Sequence, residues 1–211
     1  MKIAAINGSP KSNGGLSAKI IGQMEKNLEL KIDTYQAIRL VKGETPPRAL
    51  TEMLGADALL IVFPLYVDSL PAPLIELLTR LAAAARHQAG GPKVYAIVNC
   101  GFYEAEQTQS ALDMIRHFAA RAGLPWGYGL GIGRGPMLES MGENWQNGPT
   151  NVVFNALVDM ASAVKIRANG DNVLTGAKIP RALYKAGGHM SWRNQAKKNG
   201  AAKMLRARPY A

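Results

Sequence analysis

Three short apolar runs, residues 2–7, 57–63 and 93–99, set the strongest limit on how this chain folds. Each is far below the ~20 residues a membrane-spanning helix needs. Each is also too uniformly apolar for a strand with one wet face, so all three are expected to be strands buried on both sides, as in the middle of a parallel sheet. Parallel strands need a crossover between them, and the intervening segments supply one. Leu16, Ile20, Met24 and Leu28, with Ile21 beside them, make one apolar helical face. Leu74, Leu77, Leu78 and Leu81 make a second, and Leu112, Ile115 and Ala119 a third.

The weaker segments fill in the order. Residues 30–37 alternate as a strand with one polar face. Residues 41–48, with Pro46-Pro47, are expected to be a loop before a short helix over 48–54. Residues 126–132 make a fifth strand, although glycine is a poor strand former. The glycine-rich stretch 133–150 is expected to be a loop. Asn151 then caps a helix whose buried face is Val152, Ala156, Met160 and Val164. The result is an α/β fold, an open, doubly wound and mostly parallel five-stranded sheet between two helical layers, over residues 1–170, for which the common doubly wound order 2-1-3-4-5 is expected.

Charge separates off the rest. Of the net +10, nine positive charges lie in 172–211, where there is no Asp or Glu, so residues 1–171 are close to neutral. Residues 171–211 are expected to be a basic tail, with one or two short helices broken at Gly187-Gly188 and Gly200. Three uses fit it: an arm that docks through Met190, Trp192 and Leu205, a contact with nucleic acid or another anionic surface, or help with a nucleotide phosphate. The single cysteine, Cys100, allows neither an intrachain disulfide nor an iron–sulfur cluster, and no metal site is expected. With Met1-Lys2 leading straight into a strand, there is no secretory pattern, and the expected compartment is the cytoplasm.

In doubly wound sheets, ligands bind beyond the carboxyl ends of the strands, where strand order reverses. Three loops leave those ends here: 8–17, 64–73 and 100–107. The first is built for an anion. Its glycines let backbone N–H groups turn inward, the next helix aims its positive end there, and Ser9, Ser12, Ser17 and Lys11 add donors. It is neither a Walker A loop nor a Gly-x-Gly-x-x-Gly fingerprint.

The loop Gly8-Ser9-Pro10-Lys11-Ser12-Asn13-Gly14-Gly15-Leu16-Ser17 resembles the phosphate loop of the flavodoxin-like NAD(P)H-dependent FMN reductase and quinone reductase families. Residues 57–66, followed by Leu70-Pro71-Ala72-Pro73-Leu74, are similar to the third strand and flavin loop of those families. Asn99-Cys100-Gly101-Phe102-Tyr103-Glu104 stands where they place a second loop against the flavin ring. The resemblance implies that Ser9, Lys11, Leu16, Ser17 and the backbone of Gly15 hold the FMN phosphate. Pro64, Leu65 and Tyr66 would line one side of the flavin, and Asn99, Gly101, Phe102 and Tyr103 the other. It further implies electron transfer from NADH or NADPH through FMN to a small-molecule acceptor such as a quinone, a flavin, a nitro or azo compound or a metal chelate, in a homodimer, with no side chain acting as a catalytic acid or base. Two rivals are a flavodoxin-type electron carrier and a module that grips a polyanion with the phosphate loop and tail. His87, His117 and His189 carry no catalytic role in any of these readings.

Overall fold

The structure is a computed structural model that describes residues 1–11, 14–43, 46–88, 90–142 and 144–207. It divides into two compact units, Met1–Ala177 and Lys178–Ala211. In the first unit the order is β1 (Ile3–Asn7), α1 (Leu16–Leu28), β2 (Asp33–Gln36), α2 (Ala37–Lys42), α3 (Pro47–Leu54), β3 (Ala58–Pro64), α4 (Ala72–Ala85), β4 (Lys93–Asn99), α5 (Gln109–Arg121), β5 (Trp126–Gly133), α6 (Gly135–Ser140), α7 (Asn151–Lys165) and β6 (Val173–Gly176). The six strands are parallel and ordered β2-β1-β3-β4-β5-β6. Flavodoxin-like α/β architecture is therefore what the chain adopts, with one strand more than the five expected.

The apolar runs behave as their composition requires. Alternate residues of one strand enter opposite cores: Leu59, Ile61 and Phe63 of β3 pack with α4 and α5, while Ala58, Leu60 and Val62 pack with α1 and α7. Ile20, Met24 and Leu28 of α1 are all but fully buried. Each such side chain contributes about 1.5–3 kcal/mol of transfer free energy. Among the described residues no helix is long and apolar enough to cross a membrane.

Several expectations need correction. Residues 173–176, assigned to the tail, form β6 against β5, because they carry Val173-Leu174-Thr175 opposite Leu130-Gly131-Ile132; the first unit accordingly ends at Ala177, not at residue 170. The helix α2 occupies the start of the stretch taken as a loop. The buried face of α7 is Val153, Leu157, Met160, Ala161 and Val164. It is turned from the expected one, following the apolar series from Val153 and Leu157, and Asn151 is the first helical residue, not the cap. A 3₁₀ turn (Gly148–Thr150) runs straight into the helix, and Thr150 Oγ1 donates to the carbonyls of Trp145 and Asn147 instead. The glycine-rich 133–150 stretch contains α6, started by Pro136 and anchored by buried Leu138.

Strand β5 also explains its own composition. In Trp126-Gly127-Tyr128-Gly129-Leu130-Gly131-Ile132-Gly133, Tyr128, Leu130 and Ile132 enter one core. Past the register shift beside Val94 and Ala96, Gly129, Gly131 and Gly133 face the other side, where a short 3₁₀ turn (Ala105–Thr108) presses on the sheet, while Gly127 makes room for the Tyr95 ring. A Cβ on Gly131 would lie 2.0 Å from Thr108 Oγ1, and one on Gly133 would lie 3.1 Å from the Tyr103 carbonyl oxygen. The bare face is the seat of the loop that follows β4.

The second unit contains α8 (Arg181–Lys198) and a 3₁₀ turn (Ala202–Met204). The helix runs unbroken through Gly187-Gly188, where an interruption was expected, and none of its residues is buried. Arg208 and Tyr210 lie outside the described residues.

Candidate functional site

The carboxyl ends of β1, β3 and β4 lie side by side, and the hydrogen-bonding ladder continues past them into the loops. Gly8 N donates to Val62 O (2.8 Å), Leu65 N to Asn99 O (2.8 Å) and Cys100 N to Ile132 O (2.9 Å). The loops are thus carried by the sheet itself.

The first loop turns on short side-chain bonds. Buried Asn7 accepts from Ser9 N at Oδ1 (3.0 Å), and Ser9 Oγ accepts from Lys11 N (3.3 Å). Helix α1 then starts at Gly15 with no side-chain cap and no acidic residue in its first turn, so its positive end is uncompensated by the protein. Ser17, buried at the start of this helix, accepts from Asn99 Nδ2 (3.1 Å), and the same amide donates to Phe63 O (3.1 Å). Among the described residues neither the Ser9 nor the Ser17 hydroxyl donates to another group, so both protons remain for a ligand. Ser12, expected as a further donor, lies outside the described residues.

The second loop closes on a two-residue hairpin. Tyr66 and Ser69 exchange backbone bonds of 3.0 and 3.1 Å, with Val67 and Asp68 both left-handed at φ 51° and 57°. Ser110 Oγ donates to Asp68 O (3.1 Å) and pins the turn to α5. Tyr66 stays half-exposed beside it.

One cleft results. Ser9, Lys11, Gly15, Leu16 and Ser17 form its first wall, Pro64, Leu65 and Tyr66 its second, and Asn99 and Gly101 its third. Phe102 and Tyr103 do not line it: Phe102 is half exposed, and the Tyr103 ring is covered by the Arg134 guanidinium, 4.1 Å from its centroid. The cleft has lining that the sequence reading missed, namely Cys100 and, from α6, Gly135, Pro136 and Glu139. The Arg-Gly-Pro start of α6 was the available signal, since proline favours the first turn of a helix. Burial pushes the Cys100 thiol above its ordinary pKa, against a backbone hydrogen bond from Phe102 that acts the other way. It is a poor nucleophile at neutral pH.

The profile of the NADPH-dependent FMN reductases matches residues 1–128. The chain belongs to this family. FMN and a nicotinamide nucleotide are the family's cofactors, and the chain is accordingly an oxidoreductase. A search of curated proteins finds no match. Among solved structures, similar folds include an apo NADH:FMN oxidoreductase at 17% identity (TM-score 0.56, 76% of this chain and 87% of that one). An NADPH-quinone reductase from P. pentosaceus is 15% identical (TM-score 0.54, 76% and 98% coverage). A flavodoxin of Streptococcus pneumoniae is 14% identical (TM-score 0.54, 79% and 99% coverage). These likenesses concern the fold.

The first wall suits a flavin phosphate on its own terms. A Cβ on Gly15 would project between Ser9 Oγ at 3.5 Å and the Lys11 side chain at 3.6 Å, so glycine leaves the concave side of the loop open. Around that space stand two buried hydroxyls with protons to give, a lysine and an uncapped helix start. This set is matched to a dianion, and the carboxylate that lines the cleft, Glu139, comes from α6 and not from the loop.

Proposed function

We propose that the chain is an FMN-dependent NAD(P)H oxidoreductase that passes electrons from a nicotinamide nucleotide to a small acceptor. Quinones, flavins, nitro and azo compounds and metal chelates share the chemistry of such an acceptor. The observation that carries the reading is the convergence of ten residues from three separate strand-end loops on one cleft.

Bound FMN supplies the ring that takes and releases the hydride equivalent. The chain's residues bind and orient it. Ser9, Ser17, Lys11 and the first turn of α1 hold the phosphate. Asn99, locked by its bonds to Ser17 and to the Phe63 carbonyl, keeps the first and third walls in register. Pro64, Leu65 and Tyr66 offer flat apolar contact and keep water from that side. Phe102 and Tyr103, outside the lining, bound the mouth. No side chain is assigned a proton-transfer role; His87, His117 and His189 are not among the lining residues.

The same reading includes a cytoplasmic homodimer. Support for the second copy comes from the α4–α5 face, where Ile75 and Met114 are half exposed beside Leu70, Leu78 and Phe118 in a groove. Light scattering on the eluted protein is expected to give twice the 22.6 kDa chain mass.

The decisive test is spectroscopic. The purified protein is expected to bind added FMN at micromolar concentration, and NADH or NADPH is expected to bleach the flavin band. Failure to bind FMN refutes the reading. Binding without bleaching leaves a flavodoxin-type carrier. Steep, salt-sensitive binding of nucleic acid in place of flavin points to the polyanion module.

A further inference from the structure

Arg134 does not line the cleft, yet Cys100 and Gly101, in the loop its backbone bonds to, and Gly135 and Pro136, which follow it, all do. It follows β5 directly, and its backbone is left-handed at φ 59°. Its N–H donates to Phe102 O (2.7 Å), and that of Gly135 donates to Cys100 O (2.8 Å). The side chain leaves this corner for two targets. The guanidinium lies over the Tyr103 ring, and Nη1 donates to the carbonyl of Ala177 (3.0 Å), the last residue of the sheet unit.

Two details show that this placement is specific. Arg134 Nε is buried with no hydrogen-bond partner, a cost the structure accepts in keeping the guanidinium over the ring. Gly176 is bare where the guanidinium passes: a Cβ there would lie 2.7 Å from Nη1.

We propose that Arg134 is the positioning residue of this cleft: its guanidinium holds Tyr103, and through Tyr103 the 100–104 loop, against the end of the sheet at Ala177. The cleft wall made by Cys100 and Gly101 then stays closed without Arg134 touching a ligand. The clamp follows from contacts within the chain; only its effect on flavin binding rests on the functional reading above.

Cys100 is the one cysteine of the chain, is buried, and directs its thiol at Glu104 O within the same loop (3.9 Å). Its reaction with a disulfide dye in the flavin-free protein therefore reports how often the loop opens. A cation–π contact of this kind corresponds to a roughly tenfold change in that opening. Arg134→Gln and Tyr103→Leu are each expected to speed the reaction about tenfold, and the double variant no more than either alone. Loss of the Arg134 charge raises the thiol pKa and slows the reaction, so a faster rate comes only from the open loop. Gly176→Ala, which displaces the guanidinium with Arg134 intact, is expected to act in the same direction and serves where Arg134→Gln does not fold.

FMN affinity, read by quenching of flavin fluorescence, is expected to fall by a similar factor in both single variants. An unchanged or slower dye reaction in Arg134→Gln and Gly176→Ala overturns the proposal, as do single effects that multiply in the double variant. If the unaltered protein binds no FMN, the functional reading falls while the dye reaction still decides the clamp.

Discussion

The glycine face of β5 makes a quantitative prediction about Gly131→Ala. The added methyl would sit 2.0 Å from Thr108 Oγ1 and 2.7 Å from Leu174 Cδ2. Leu174 can yield at the far end of its side chain. Thr108 cannot yield freely, because it is fully buried and its Oγ1 donates to Ala105 O at 2.6 Å. Either the turn lifts off the sheet or the threonine rotates and abandons its bond. Overpacking of this kind costs about 1–3 kcal/mol, and a buried hydroxyl left without a partner roughly another 1–3 kcal/mol. The expected loss is thus about 2–6 kcal/mol, a large share of the ~5–15 kcal/mol typical of a domain. Thr108→Ala removes the clashing oxygen, so the substitution at Gly131 should cost only about 1 kcal/mol in that background. Urea unfolding followed by tryptophan fluorescence measures all four corners of the cycle, with buried Trp145 as a reporter. A cost below about 0.5 kcal/mol for Gly131→Ala, or a Thr108→Ala change that adds to it, would refute the packing argument.

Two other outcomes are expected. Ser17→Asp sets a carboxylate against the flavin phosphate; unit charges ~4 Å apart repel by about 4 kcal/mol at an effective dielectric constant near 20, so FMN affinity should drop at least a hundredfold. Ser17→Ala should lose much less, and equal affinities in titration would show that the loop is not the phosphate site. The phenols of Tyr95 and Tyr128 are both pushed up to about 12, in each case chiefly by burial. Between pH 10 and 12 the folded protein keeps protons that the unfolded chain releases near 10, so stability falls as pH rises through that window, by up to about 1.4 kcal/mol per unit for each tyrosine. Urea midpoints that stay level from pH 9 to 11 would contradict this.

The parts of this molecule that could be read from its residues are those where one property dominates. Uniformly apolar runs have no place but a sheet interior, which is why β1, β3 and β4 and their exits were legible, and with them ten cleft residues. Properties set by neighbours were not. Nothing local in Val173-Leu174-Thr175 distinguishes an exposed segment from a strand waiting for a partner, and the partner lies some forty residues earlier. The start of α7 was hidden too, because Thr150 spends its hydroxyl on Trp145 and Asn147, bonds that no periodicity announces. The contact of the Arg134 guanidinium with the Tyr103 ring joins residues some thirty positions apart. Glu139 and Pro136 reach the cleft only because Leu138 anchors a helix in a stretch whose glycines resemble a loop.

The sixth strand has a consequence beyond topology. Without it, β5 would end the sheet as eight residues of half-bare backbone, a template for another chain to add a strand. Instead its outer rim is spoken for along its length. Gly127 O accepts from Gly170 N, Gly129 N donates to the Asn172 side chain, and residues 130–133 pair with β6. What then faces outward is β6 itself, only four residues long, as is β2 at the opposite margin. Both margins are too short to recruit a strand, and a chain truncated before residue 173 should be prone to aggregate through β5 even if the cleft survives.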